Sequence, residues 1–400
     1  MSTATAAALA AVFLAATLAP LVSDRLARWL LVPSVVLEIL LGIVLGPALL
    51  GWVVEDDVIG ALAEIGLAFL MFLAGYELEF VRIKGEPLRT AALSWLVSLA
   101  LGVVAGLLLA GTGSRAAGLV VGLALTTTAL GTILPMLRDA GETRTPFGSR
   151  VLAVGSVGEF GPIVAIAFLL SGDRPWHVSV LLLVFAAVAV LAAVLATRPR
   201  HPVLARVLSS TLRSSAQLGV RISVLAVVGM LTLATALGLD PVLGAFTAGV
   251  VVRLFLQAGE PEEIEEVMSR VEGIGFGFFI PLFFVVSGVR FDLVSLVEAP
   301  SRWLVVPLGL LLFLGVRGVP TLVAHRRTLP TPDRRALALY GATALPLVVV
   351  ITSIGVDSHD LSSATASALV AAGMLSVLVF PLVAGRVRTA TGAGTSPRPG

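Results

Sequence analysis

Thr126-Thr127-Thr128-Ala129-Leu130-Gly131, followed by Pro135, has its Thr-Ala-Leu centre repeated in Ala342-Thr343-Ala344-Leu345-Pro346. Both stretches interrupt long apolar runs with hydroxyls, small residues and a proline, which removes one helical N–H and clashes with the carbonyl four residues back. A second pair of similar segments runs from Pro33 to Pro47, with Gly42 and Gly46, and from Pro241 to Gly249, with Gly244. Two such pairs in one chain point to an internal repeat with discontinuous helices at its centre.

The composition says where those helices lie. Of 400 residues, 57% are hydrophobic and 13% charged, and the mean hydropathy is +1.02. Soluble domains carry about 25% charged residues, so an ordinary soluble enzyme is excluded. A membrane-crossing helix takes roughly 20 apolar residues, and about thirteen fit this chain with short loops between them. Apolar windows place them near 6–22, 31–49, 58–75, 90–110, 116–137, 149–171, 177–196, 217–237, 241–257, 274–289, 301–323, 334–355 and 362–385. The expected fold is an all-α polytopic membrane protein with its membrane domain over residues 1–386. Residues 387–400, rich in Gly, Pro and Thr, read as a short disordered cytoplasmic tail.

Loop charge sets the orientation. With the N-terminus outside and the C-terminus cytoplasmic, the inner segments hold 22 Arg and Lys and the outer ones four, Arg115, Arg174, Arg290 and Arg302. Reading the first 22 residues as a cleaved signal peptide would invert that asymmetry, and they lack a basic leading region. The similar segments fall in spans 2 and 9 and in spans 5 and 12. An odd offset of seven gives the copies opposite orientation, so spans 1–6 and 8–13 form an inverted repeat around span 7.

Several classes of function are excluded. The chain has no cysteine, hence no disulfide or Cys-ligated metal. Its arginines are scattered among apolar runs and make no basic face for nucleic acid. The four histidines, His177, His201, His325 and His359, have no metal-ligand spacing and read as solvated loop residues. The acidic run from Glu260 to Glu272 reads as a solvated loop face. Gly273-Ile274-Gly275-Phe276-Gly277 lies in no βαβ unit and reads as close helix packing. No motif of a hydrolase, zinc protease or nucleotide-binding loop occurs, so no enzyme activity and no cofactor is expected.

Two ionisable residues fall deep in their spans, Glu159 in span 6 and Arg317 in span 11. A charge at the bilayer centre costs about 2.5–3.5 kcal/mol or more unless it is paired or faces a cavity. A structural buried pair is one reading; a carboxylate that exchanges a proton for a cation is the other. The neighbours of Glu159 fit the second. Pro162 leaves the Gly158 carbonyl without its helical donor, and Ser156 puts a hydroxyl on the same face. Thr126, Thr127 and Thr128 add oxygens if span 5 is broken there, with back-bonding inside the helix as the competing reading. Gly131, Pro135, Pro162, Thr343 and Pro346 are the expected helix-breaking positions. Glu38 and Glu64 fall nearer span ends.

These segments resemble the monovalent cation:proton antiporter-2 family, the Kef/Nap-type sodium– or potassium–proton exchangers. The resemblance rests on Pro33-Ser34-Val35-Val36-Leu37-Glu38 through Gly46-Pro47, and on Glu64-Ile65-Gly66 through Ala74-Gly75-Tyr76-Glu77-Leu78-Glu79. It rests also on Leu243-Gly244-Ala245-Phe246-Thr247-Ala248-Gly249 and on Pro281-Leu282-Phe283-Phe284-Val285-Val286-Ser287-Gly288. It covers nearly the whole chain. It implies a sodium/proton antiporter-like fold, a homodimer with a panel domain at its interface, and a mobile core with two crossed discontinuous helices, spans 5 and 12. Family members carry Asp-Asp, Asn-Asp or Gln-Asp where this chain has Gly158-Glu159, Lys or Arg at Arg317, and Ser-Ser-Thr at Thr126-Thr127-Thr128. The resemblance departs at Glu159, one methylene longer than Asp, and at Gly158, which offers no side-chain ligand.

The expected mechanism is alternating access, with Glu159 holding either a proton or a monovalent cation, Na+ or K+. In the empty site Arg317 is expected to pair with Glu159. Since Arg keeps its proton, exchange is expected to be electroneutral, one to one. A sodium-coupled organic-solute symporter of the same architecture, a channel-like leak and a non-transporting membrane sensor remain alternatives.

Overall fold

In a bilayer every backbone N–H and C=O must be paired within the chain, so apolar segments of this length become helices. The computed structural model describes residues 2–26, 32–76, 85–110, 114–143, 145–169, 175–197, 218–256, 261–298 and 304–389. The described residues are helical throughout apart from short connections: α1 Thr3–Leu26, α2 Ser34–Leu45, α3 Asp57–Tyr76, α4 Glu86–Ala110, α5 Arg115–Ala124, α6 Leu130–Asp139, α7 Pro146–Leu169, α8 Pro175–Thr197 and α9 Leu218–Ala236. They continue with α10 Pro241–Leu256, α11 Pro261–Ile274, α12 Ile280–Val289, α13 Leu293–Glu298, α14 Val305–Phe313, α15 Val319–Ala324, α16 Thr331–Ala342, α17 Pro346–Asp357 and α18 Ser363–Thr389. Among the described residues nine helices, counted across their bends, are long and apolar enough to cross a membrane.

Two π-helical turns, Gly275–Phe279 between α11 and α12 and Leu314–Gly318 between α14 and α15, carry the chain through bends without breaking it. Each ends two residues before a proline, Pro281 and Pro320. A proline cannot donate to the carbonyl four residues back, and the wider i→i+5 turn absorbs the mismatch.

The chain divides into two compact units. The first comprises Met1–Ala16, Val54–Leu78 and Ile166–Val286. Its α3 and α10 approach to backbone contact. A Cβ on Gly75 would lie 2.0 Å from the Phe246 carbonyl oxygen, and one on Gly249 would lie 2.0 Å from that of Phe72. Glycine at these two positions is what allows the crossing. Arg253 closes the same end, donating to the Tyr76 carbonyl at 3.2 Å with its guanidinium over the Tyr76 ring. α11 corrects the expected solvated loop at Glu260 to Glu272: residues 261–274 are helical, with Val267, Met268 and Val271 buried. Of the expected close-packing glycines only Gly275 is buried against neighbours; Gly273 and Gly277 face open space.

The second unit comprises Thr17–Val53, Glu79–Ala165 and Ser287–Gly400 and holds both interrupted helices. α4 and α5 cross through Gly102, Gly106, Gly118 and Gly122, each of which would carry a Cβ into opposing backbone at 3.0 Å or less. At one end Arg388 of α18 joins Glu142, before α7, to Asp333 in the first turn of α16, with its guanidinium 3.9 Å from the centre of the Phe147 ring. α18 continues to Thr389, past the expected boundary at 386. The rest of the expected disordered tail, residues 390–400, lies outside the described residues, as do Glu77, Glu79, Lys84, His201 and Glu260.

Candidate functional site

The two similar sequence stretches meet. α5 stops at Ala124 and α6 starts at Leu130; α16 stops at Ala342 and α17 starts at Pro346. Residues 125–129 and 343–345 between them are not helical. Backbone groups freed by the interruptions find partners across the unit. Ala129 N–H donates to the Thr343 carbonyl at 2.7 Å, and the Thr128 hydroxyl donates to the Gly341 carbonyl at 2.7 Å. Ala344 N–H donates to the Ser376 hydroxyl of α18 at 2.9 Å. Irregular backbone at membrane depth persists only with this kind of internal pairing.

Glu159 of α7 is 7% exposed, and its Oε1 accepts the Leu130 N–H at 2.9 Å. Leu130 is the first residue of α6, so the carboxylate lies at the positive end of that helix. Ser156, one turn earlier on α7, is buried as well. The carbonyl beside Glu159 corrects an expectation. Pro162 does deprive Gly158 of its helical donor, but Thr128 N–H replaces it at 3.0 Å. α7 runs unbroken through Pro162 to Leu169, so this proline orphans a carbonyl without ending the helix.

Arg317 is 0% exposed and belongs to the π turn Leu314–Gly318. Its Nε donates to the Thr128 hydroxyl at 3.0 Å and its Nη2 to the Val154 carbonyl at 2.7 Å. Nη1 is buried with no hydrogen-bond partner among the described residues. Where an Arg317–Glu159 pair was expected, the guanidinium bonds to the Thr128 hydroxyl and the Val154 carbonyl. Gly158 is what admits it. A Cβ there would lie 2.2 Å from Thr128 Oγ1 and 2.8 Å from Arg317 Nη2.

The remaining expected residues divide. The hydroxyls of Thr126 and Thr127 back-bond to the carbonyls of Leu123 and Ala124 at 2.8 and 2.9 Å, while Thr128 alone reaches across. Thr343 is the C-cap of α16 and Pro346 opens α17, both at an interruption. Gly131 and Pro135 lie inside α6, as its second and sixth residues. Glu38 is buried in α2, and Glu64 is exposed. His325, expected in a solvated loop, is buried at the end of α15. Sequence reading also missed the Leu130 N–H and the Val154 carbonyl, for which no side chain gives a signal.

Among the described residues no group of three or more His, Asp or Glu gathers as a metal cluster. The site is instead one carboxylate, a fixed cation and several hydroxyl and carbonyl oxygens.

Residues 13–387 match the family model described as sodium/hydrogen exchanger, transmembrane. YjbQ of Bacillus subtilis is 28% identical over 94% of this chain, which spans 62% of that protein's length. A Na(+)/H(+) antiporter of Enterococcus hirae is 26% identical over 90% of this chain and 93% of its own. The Na(+)/H(+)-K(+) antiporter GerN of Bacillus cereus is 28% identical over 70% of each chain. Among solved structures, the sodium proton antiporter MjNhaP1 of Methanocaldococcus jannaschii superposes with a TM-score of 0.68 over 98% of both chains, at 16% identity. That likeness is one of fold.

Proposed function

The chain belongs to the sodium/hydrogen exchanger transmembrane family, and from that premise we propose that it is a secondary active antiporter exchanging Na+ or K+ for H+ by alternating access. It is a transporter and not an enzyme. The observation that carries the reading is Glu159, a single buried carboxylate on the Leu130 N–H where the two interrupted helices meet. One carboxylate holds a proton or a cation, never both, and this exclusion couples the two fluxes. In this reading the hydroxyls of Ser156, Thr126, Thr127 and Thr128 complete the cation's oxygen shell. A hydroxyl that donates its proton to a carbonyl keeps lone pairs for a cation. Arg317 supplies a fixed positive charge beside the site and cannot release its proton.

Exchange is one proton per cation and electroneutral, so it gains nothing from the roughly 2.3 kcal/mol per charge that 100 mV supplies. The finer assignments follow the same reading: the antiporter-2 branch, thirteen spans in an inverted repeat, the N-terminus outside and the C-terminus cytoplasmic, and a homodimer. The unit carrying α5–α6 and α16–α17 is the body that moves.

The test is purified protein in liposomes, with lumenal pH followed after adding Na+ or K+. One ion moves protons in the wild type. Glu159→Gln keeps an acceptor for the Leu130 N–H and abolishes exchange. Steady exchange in Glu159→Gln removes the carboxylate from the mechanism. If neither ion moves protons in the wild type, Gly158 becomes the decisive departure, and the solute-symporter or sensor reading takes over.

A further inference from the structure

The two interruptions are tied down in the same way. Glu159 of α7, the helix that follows α5 and α6, accepts the Leu130 N–H at 2.9 Å. Ser376 of α18, the helix that follows α16 and α17, accepts the Ala344 N–H at 2.9 Å. Each acceptor takes an N–H from the Thr-Ala-Leu of the interrupted pair before it. Ser376 is 0% exposed, and its one hydroxyl hydrogen has two carbonyls in reach, Ala344 at 2.9 Å and Gly373 at 2.7 Å. Gly373 completes the seat, since a Cβ there would lie 2.8 Å from the Ala344 carbonyl oxygen. Both polar backbone groups of Ala344 therefore rest on one turn of α18.

The Ala344 N–H shares a peptide unit with the Thr343 carbonyl, and that unit is planar and rigid. The Thr343 carbonyl accepts the Ala129 N–H at 2.7 Å. The next residue after Ala129 is Leu130, the donor to Glu159. An unbroken route thus runs from Ser376 through the 343–344 peptide to Ala129, Leu130 and the carboxylate. We infer that Ser376 is a positioning residue of the exchange site, fixing through this peptide the place where Leu130 presents its N–H to Glu159. Without the hydroxyl, the Ala344 N–H loses its acceptor at membrane depth, and the peptide turns to find another. The Thr343 carbonyl turns with it and leaves Ala129. Leu130 is then no longer held against the carboxylate, and the site loses affinity for its cation.

The inference rests on the exchange reading, and its test separates the two. Proton flux is followed in proteoliposomes as Na+ or K+ is varied, and apparent KM and maximal rate are read separately. Ser376→Ala is expected to raise the apparent KM for the transported cation about five- to tenfold, the size of one net hydrogen bond. Its maximal rate per folded transporter is expected to stay within about twofold of wild type, as when ground-state binding alone is lost. Ser376→Thr keeps the hydroxyl and is expected to restore the wild-type KM. A serine that only stabilised the fold would lower the amount of active protein and leave KM where it was. An unmoved KM in Ser376→Ala, or a KM raised as far in Ser376→Thr, overturns the inference while leaving exchange intact. A wild type that moves protons with neither ion overturns the exchange reading, and this inference with it. Should Ser376→Ala not fold, Gly373→Ala serves, because its methyl presses on the Ala344 carbonyl from the same turn of α18. KM is again expected to rise, and an unmoved KM overturns the inference.

Discussion

Arg317 and Thr128 are bonded through the Nε and Oγ1 atoms at 3.0 Å, and Thr128 passes its own hydroxyl hydrogen to the Gly341 carbonyl at 2.7 Å. One hydroxyl thus joins the π turn after α14, the interruption before α6 and the last turn of α16. The arginine's hydrogen bonds go to neutral oxygens, the Thr128 hydroxyl and the Val154 carbonyl. Each member of this junction has a measurable consequence.

Gly158→Ala places a methyl 2.2 Å from Thr128 Oγ1 and 2.8 Å from Arg317 Nη2. Neither neighbour is a free flexible end, since each is committed to other bonds. The substitution is expected to destabilise by about 1–3 kcal/mol, as overpacking in a core does. Thermal unfolding in detergent reads it, and a melting temperature equal to wild type would mean that Arg317 has room to withdraw.

Thr128→Val matches the shape and removes the hydroxyl. It strands Arg317 Nε and the Gly341 carbonyl, at a cost of about 1–3 kcal/mol for each buried group left unpaired. Thr128→Ser keeps both bonds and is expected to stay within about 1 kcal/mol of wild type, the value of roughly one methyl group. The order Val well below Ser in melting temperature is the expected result, and equal values would remove the hydroxyl from the account.

Arg317→Lys retains the charge but replaces a fixed fork with a point charge. An ammonium can stay with Thr128 or with the Val154 carbonyl, and the other loses a charge-assisted bond worth about 1.5–3 kcal/mol. Reduced thermal stability and slower exchange are expected together. Wild-type values for both would show that charge alone matters here.

Asp56 precedes α3 in the first unit. The Thr5 hydroxyl, donating at 2.5 Å, and then the Ile59 N–H hold its carboxyl below the usual 3.8. A lowered carboxylate stabilises the fold above its unfolded value, and that contribution is lost as pH falls through the folded one. Thr5→Val is therefore expected to melt lower than wild type at neutral pH, with the two curves converging below pH 3.8. A difference that persists in acid would be packing rather than charge.

Much of the helical pattern was legible because lipid leaves apolar segments no alternative. The repeated Thr-Ala-Leu pointed to both interruptions, and the cost of burying charge singled out Glu159 and Arg317. The location of the first interruption was less legible. Pro135 suggested a break near itself, yet α6 contains it, and the non-helical residues are 125–129. Their place is set by Gly158 and Thr343, whose carbonyls take the N–H groups of Thr128 and Ala129. Neither carbonyl has a signature in side-chain chemistry. His325 went astray for a related reason, since a position near a span end says nothing of which neighbour covers it.

Residue type alone determined that this chain is helical, lies in a membrane, and pays for two buried charges at its centre. Those conclusions follow from transfer free energy, which is a property of each side chain and its near neighbours in sequence. Only the tertiary structure decided what the charges bond to. Partners such as Thr128 and Arg317 are 189 positions apart, and their pairing depends on which backbone groups the interruptions expose and on the space a missing Cβ at Gly158 leaves open.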